Sequence, residues 1–416
     1  MSVIGIVCEY NPFHKGHEYQ IQQAKQITGA DHVICFMSGN FLQRGVPALA
    51  DKYTRALIAL RCSVDAVFEI PFVYSTSSAR DYAYAAVSMM NSLNCIDYIS
   101  FGAETASIDI LSLIAGIVTT EPKEISVSIK TLAASGMSYG AARAQAISEY
   151  LHCRPDSSLN ISQSELDSVL SSPNNILAIE YLAALNKTRS HIKPVPIPRV
   201  CAGYNSTTAD NDICSATAIR KMLLGGDIHR LERHVPEQCY SILSKAYGIS
   251  FPVFDNDMSV YLSYSRMTNP DIARCADMDT DLSNRLSRLD VNMSFSDTAT
   301  ALKCRNYTLT HIQRGLLHVI TKLTNDDLNA FKAGGWIYYI NMLGLRTASS
   351  KLIGQIKTAS DIPVITKNRE IRSSVSAAGQ KMFRYDELAS DLYRNMIYQA
   401  HGHSIAPDHK HSVILV

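Results

Sequence analysis

Val3-Ile4-Gly5-Ile6-Val7-Cys8-Glu9-Tyr10-Asn11-Pro12-Phe13-His14-Lys15-Gly16-His17 opens the chain with an apolar run, a proline turn and two histidines three residues apart. The run has strand length, and Gly16 to Thr28 carries a helical pattern. The alternation continues outward: His32 to Met37 reads as a strand, Tyr53 to Cys62 as a helix and Ala66 to Ile70 as a strand. Tyr98 to Phe101 reads as a further strand that opens into Gly102-Ala103-Glu104. This order predicts an α/β fold, a Rossmann-like parallel sheet. Ligands bind such sheets beyond the strand carboxyl ends, where His14 and His17 stand.

Two imidazoles three apart on a first helical turn share one face, and Gly16 between them permits close approach of a ligand. A helix start also carries N–H groups and partial positive charge, so the element suits nucleotide phosphates, with the histidines countering charge on an α-phosphate. Metal ligation is the rival chemistry. H-x-G-H brings no third ligand, and zinc helices space histidines four apart, so no metal is assigned to His14 and His17. Two ordinary surface histidines are the bland alternative; the position directly after an N-terminal strand favours phosphate. A second element is Cys214-Ser215-Ala216-Thr217-Ala218-Ile219-Arg220-Lys221. Ser215 as N-cap, Thr217 in the first turn and the cations after them suit a triphosphate tail, although the same pattern starts many plain helices.

The 416 residues are 46% hydrophobic and 19% charged, which excludes a disordered chain and predicts more than one packed unit. Ten cysteines are scattered singly and read as reduced, in a cytoplasmic protein. The N-terminus lacks a signal-peptide pattern, and the nearly apolar Ile110 to Val118 is far short of the ~20 residues of a membrane helix. Residues 301–416 hold 15 Lys+Arg against 8 Asp+Glu, whereas residues 1–300 hold 24 against 30. Such a split fits a polyanion partner for the C-terminal part, or simply a solvated cationic face. Ser171 to Asn175 reads as a polar turn before a helix beginning near Ile176, and Lys193 to Arg199 as an edge strand or connector. Beyond about residue 230 the pattern is chiefly helical, with an amphipathic helix over Tyr307 to Leu323 and a short strand over Ile362 to Lys367.

The motif E-Y-N-P-F-H-K-G-H and the later S-A-T-A-I-R resemble those of the HxGH nucleotidyltransferase superfamily, and the fuller match is to the tRNA(Met) cytidine acetate ligases. Supporting stretches are Met37 to Gly45, Asp51-Lys52 with Arg55, Phe101 to Glu104, Pro173 to Leu177, Asn306-Tyr307-Thr308 and Arg314 to His318. Two departures are Arg80-Asp81, where an acid is expected soon after Ser-Ala, and Cys304, where a cation is expected.

The resemblance implies an ATP-dependent ligase that forms acetyl-AMP, releases pyrophosphate, and passes acetyl to N4 of the wobble cytidine, C34, of elongator tRNA(Met). It implies a catalytic domain over 1–230 and a mostly helical, basic, tRNA-binding domain over 231–416. ATP would lie against the segment Val7 to Gln20, which includes Glu18 and Tyr19, and against Gly102, Asn175 and Arg199. His14, Gly16 and His17 would carry catalysis, Ser215, Thr217 and Arg220 would hold the pyrophosphate end, and Mg2+ would bridge phosphates without a protein cage. Asn40, Gln43, Arg44 and Asp51 are expected at the acyl and cytidine pocket by their place after the second strand. Arg314, Lys322, Lys351, Lys357, Lys367, Arg369, Arg372 and Arg384 are expected at the RNA. The competing functions are a small-molecule nucleotidyltransferase and a nucleotide-gated RNA-binding protein without catalysis.

Overall fold

The strand His32–Ser38 is apolar at most positions because both its faces are covered: Ile34 and Phe36 enter one core, and Val33, Cys35 and Met37 the other. The structure, a computed structural model, describes residues 1–153, 161–199 and 216–416. Its sheet consists of β1 (Val3–Cys8), β2 (His32–Ser38), β3 (Ala66–Ile70), β4 (Tyr98–Ala103), β5 (Lys193–Pro198), β6 (Ile340–Leu345), β7 (Val364–Ile365) and β8 (Ile414–Leu415). The order is β5-β4-β1-β2-β3-β6-β7, with β8 also on β6. The first five strands are mutually parallel, and β6 runs antiparallel to β3. The chain builds from β1 through β2 to β3, then returns to place β4 on the other side of β1. That reversal opens a crevice at the carboxyl ends of β1 and β4.

The expected α/β class and order of elements are those observed, and the chain is otherwise mostly helical. The Pro-punctuated segment is the edge strand β5, where a missing N–H is tolerated. Two details differ from expectation. The helix Pro173–Thr188 starts at Pro173, so Asn174 and Asn175 form its first turn; proline suits a position whose N–H has no intrahelical partner. Ile340–Leu345 is a strand, buried at every residue, within the segment whose pattern is chiefly helical.

Buried charge fastens residues 301–416 to the sheet. Lys52 Nζ lies 2.9 and 2.8 Å from the carboxylate oxygens of Glu69 and 2.7 Å from Asp408, with the lysine side chain 1% exposed. Asn341 Nδ2 donates to Glu69 at 2.9 Å. Asp386 accepts from Phe72 N–H at 2.7 Å and from the Tyr339 hydroxyl at 2.5 Å, and burial pushes its carboxyl up to about 8. Gly45 has φ +75°, and a Cβ there would collide with the backbone of Gln313 and Arg314, so the loop after β2 sits directly on the helix Leu309–Thr321.

Removing one partner of a buried ion group leaves the others uncompensated. Lys52→Met is expected to lower unfolding free energy by ~3–5 kcal/mol in urea denaturation; an unchanged midpoint would show that Lys52 contributes nothing at this junction.

Candidate nucleotide site

Between β1 and the helix Lys15–Thr28, Tyr10 adopts φ +46° and the Asn11–Pro12 peptide is cis. A non-glycine residue in the left-handed region costs ~1–3 kcal/mol, so its surroundings must hold it there. Asn11 Oδ1 accepts Leu49 N–H at 2.7 Å, and the Tyr10 hydroxyl lies 3.2 Å from Cys35 Sγ. Arg55, 1% exposed, donates to the carbonyls of Glu9 (2.6 Å), Ser38 (3.1 Å), Ala50 (2.9 Å) and Gly39. One guanidinium thus gathers the loops that follow β1 and β2.

His14 is the N-cap of the helix. Its Nδ1 accepts Gly16 N–H at 3.1 Å, and His17 Nδ1 accepts His14 N–H at 3.3 Å. A ring nitrogen that accepts is unprotonated, so each neutral imidazole carries its proton on Nε2. The rings stack at 3.8 Å between centroids, backed by Tyr10 at 4.9 Å and Phe13 at 5.6 Å from His17. Burial, reinforced by Arg199, lowers His14 to about 4; burial, His14 and Arg199 hold His17 well below the usual imidazole range. Both rings are therefore neutral donors at neutral pH.

The helix start differs from the expectation of N–H groups left for phosphate. Gly16 N–H is bound to His14, the N–H groups of His17 and Glu18 to His14 O, and Lys15 N–H to His234 O at 3.2 Å. Lys15 itself is half-buried. The donors at this end are thus the imidazoles.

Gly102, Asn175 and Arg199 meet across the crevice. A Cβ on Gly102 would lie 3.4 Å from Arg199 Cγ, and Arg199 Nη1 donates to Asn174 Oδ1 at 3.3 Å. Asn175 Oδ1 accepts Thr105 N–H at 3.0 Å, while its buried Nδ2 has no partner among the described residues. Gln20 Nε2 reaches Ser100 O on β4 at 3.4 Å. Val7 and Cys8 belong to β1, where burial pushes the Cys8 thiol up; Tyr19 is half-buried. Ser215 and the side chain of Thr217 lie outside the described residues. Arg220 Nη1 donates to Asn11 O at 3.4 Å, within electrostatic reach of Arg44, Glu9 and Asp255. Asp255 had no motif to announce it.

The four residues expected at the acyl and cytidine pocket separate. Asn40 Oδ1 accepts Lys52 N–H at 2.8 Å, and Asp51 caps the helix Lys52–Arg61 through the N–H groups of Tyr53 and Thr54, so both build the scaffold. Gln43 N–H donates to Glu9 Oε1 at 2.8 Å and its amide to Ser77 O at 2.9 Å, while Arg44 is exposed. Among the cations expected at RNA, Arg314 is 7% exposed and doubly bonded to Asp277 at 3.1 Å, which spends its charge inside the fold. Lys322 lines a groove with Asp271, Asp326 and Asp327. Lys351, Lys357, Lys367, Arg369, Arg372 and Arg384 are exposed on neighbouring helices and turns.

Residues 1–407 match the HIGH Nucleotidyl Transferase family. The tRNA(Met) cytidine acetate ligase of Clostridium perfringens is 35% identical over 396 residues, covering 94% of this chain and 95% of that protein. The chain belongs to the tRNA(Met) cytidine acetate ligase family. The Halothermothrix orenii ligase is 34% identical over 94% of each chain. Among solved structures, Thermotoga maritima TmcAL bound with alpha-thio ATP superposes with TM-score 0.91 at 27% identity over 100% of both chains. The likeness to that structure therefore extends over the whole fold, the parallel sheet included.

Because His14 titrates near 4 when folded and near 6.5 when unfolded, the unfolded chain binds more protons in between. The stabilisation from His14 is complete above about 6.5 and is lost as pH falls toward about 4, by up to ~1.4 kcal/mol per pH unit. His14→Asn keeps a side-chain cap without the titration, so its stability-versus-pH curve is expected to be flatter across this window. Parallel curves would remove the premise that His14 is held neutral.

Proposed function

We propose that this ligase uses ATP to activate acetate as acetyl-AMP, releases pyrophosphate, and transfers the acetyl group to N4 of the wobble cytidine, C34, of elongator tRNA(Met). Family membership supports the substrates, and the observation that carries the chemistry is the pair of Nε2–H donors fixed by the helix cap. Acetate is already nucleophilic, so attack on the α-phosphorus calls for positioning and charge stabilisation more than for a base. The two imidazoles donate to α- and β-phosphate oxygens, and their pre-set tautomers need no reorganisation as charge builds. Arg199 faces them and Arg220 lies near Glu9.

Mg2+ arrives with ATP. Among the described residues no three metal-ligating side chains converge, so phosphates and water would hold the ion, and no step is assigned to it. In the second step the cytosine amine attacks the acyl carbonyl, which needs an unstacked base such as an anticodon loop presents. The exposed cations Lys351 to Arg384 suit its backbone, and their pairing with phosphate would be salt-dependent.

Incubation with labelled pyrophosphate, ATP and acetate, followed by tRNA and nucleoside mass spectrometry, tests the reading. Acetate-dependent exchange and then N4-acetylcytidine are expected; exchange indifferent to acetate means a small-molecule transferase, and RNA binding without exchange a non-catalytic protein. His14→Asn should depress exchange by at least ~100-fold while leaving tRNA affinity nearly unchanged. Lys357→Glu with Arg372→Glu should weaken tRNA binding and flatten its dependence on salt by roughly 0.7 to 0.9 in slope for each phosphate no longer neutralised. Unaltered affinity at all salt concentrations would place the RNA elsewhere.

A further inference from the structure

At the carboxyl end of β4, both carboxylate oxygens of Glu104 are engaged by the start of the helix Pro173–Thr188. Oε2 accepts Asn175 N–H at 2.9 Å; Oε1 accepts Asn174 N–H at 3.4 Å and Asn174 Nδ2 at 2.5 Å. Asn174 then cannot turn its amide over, because Oδ1 accepts Arg199 Nη1 at 3.3 Å. Carboxylate, amide and guanidinium form one ordered relay. Beside it, Asn175 is completely buried, yet its Nδ2 has no acceptor among the described residues. A buried donor left unmade is costly, and a ligand in the crevice is the fitting acceptor.

The relay also settles where charge goes. A helix start of this length ordinarily attracts an anion. Here Glu104 supplies that anion, so a phosphate gains little beside Asn175 and is favoured toward His14, His17 and Arg199. The uncharged part of a nucleotide, its base or ribose, fits the Asn175 side.

We propose that Glu104 and Asn174 are positioning residues for nucleotide binding: Glu104 fixes the helix start that aims Asn175, and Asn174 holds Arg199 toward the histidine pair. The proposal rests on the reading that Asn175 and Arg199 bind ATP. Titration calorimetry of ATP with the full chain tests it. Glu104→Gln replaces one acceptor by a donor facing the helix N–H groups, and is expected to weaken ATP binding about tenfold. Asn174→Ala leaves the Glu104 bond to Asn175 N–H in place, guards against misfolding, and should weaken ATP binding severalfold.

The decisive measurement is a double-mutant cycle. In the Arg199→Ala background, Asn174→Ala should have almost no further effect, because its route to ATP is gone. Equal effects in both backgrounds, or wild-type affinity for Glu104→Gln, overturn the relay while leaving the nucleotide site standing. If Arg199→Ala and Asn175→Ala themselves bind ATP normally, the site reading and the relay fall together.

Discussion

His14 Nδ1 accepts the N–H of Gly16 in the first helical turn and His17 Nδ1 accepts the N–H of the cap residue His14, and the rest of the site depends on that reciprocal cap. The cap fixes the tautomer, the tautomer puts a proton on each Nε2, and stacking against Tyr10 and Phe13 fixes where those protons point. An uncapped histidine pair could choose either tautomer and several rotamers, and would lose much of its power to stabilise developing charge. The same bonds consume N–H groups that a simpler phosphate site would use. On the proposed reading, recognition thus moves from the helix backbone to the two imidazole side chains.

Holding that cap in place requires a strained loop, and the strain is met by buried polar groups. Arg55 binds four backbone carbonyls from beneath, while Lys52, one turn earlier on the same helix, reaches Glu69 and Asp408. A ten-residue helix thereby connects the nucleotide loop, the sheet and the C-terminal segment. The stretch M-S-G-N-F-L-Q-R-G has a matching role: Asn40 braces the start of that helix, and Gly45 permits close approach to the helix that carries Arg314. His318, fully buried, holds Thr76 Oγ1 at 3.1 Å and Ala276 O at 3.0 Å across the same boundary. Much of what has the look of pocket or RNA-binding sequence is therefore joinery.

The parallel strands and the histidine motif were legible because their signals are local. A doubly covered strand must be apolar throughout, and H-x-G-H directly after one needs no distant residue to be recognised. The crevice residues Gly102, Asn175 and Arg199 came through resemblance, and the fold brings them together. Less legible was which polar residues reach solvent. Arg314, Asp51 and Asn40 have the composition of binding residues, yet their partners come from other elements, and such pairing leaves no trace in a local window. For the same reason β6 has no local signature: its six residues form a strand because β3 and β7 lie beside them.

The sequence by itself determined the strand-to-helix grammar, the place of the imidazoles and the uneven distribution of charge, since periodicity, spacing and counting are properties of neighbours along the chain. Tertiary structure alone decided which ring nitrogens carry protons, which cations are neutralised inside, and that Glu104 and Asn174 brace Arg199. Those outcomes depend on desolvation and on partners tens to hundreds of residues away, and only the folded chain brings both to bear.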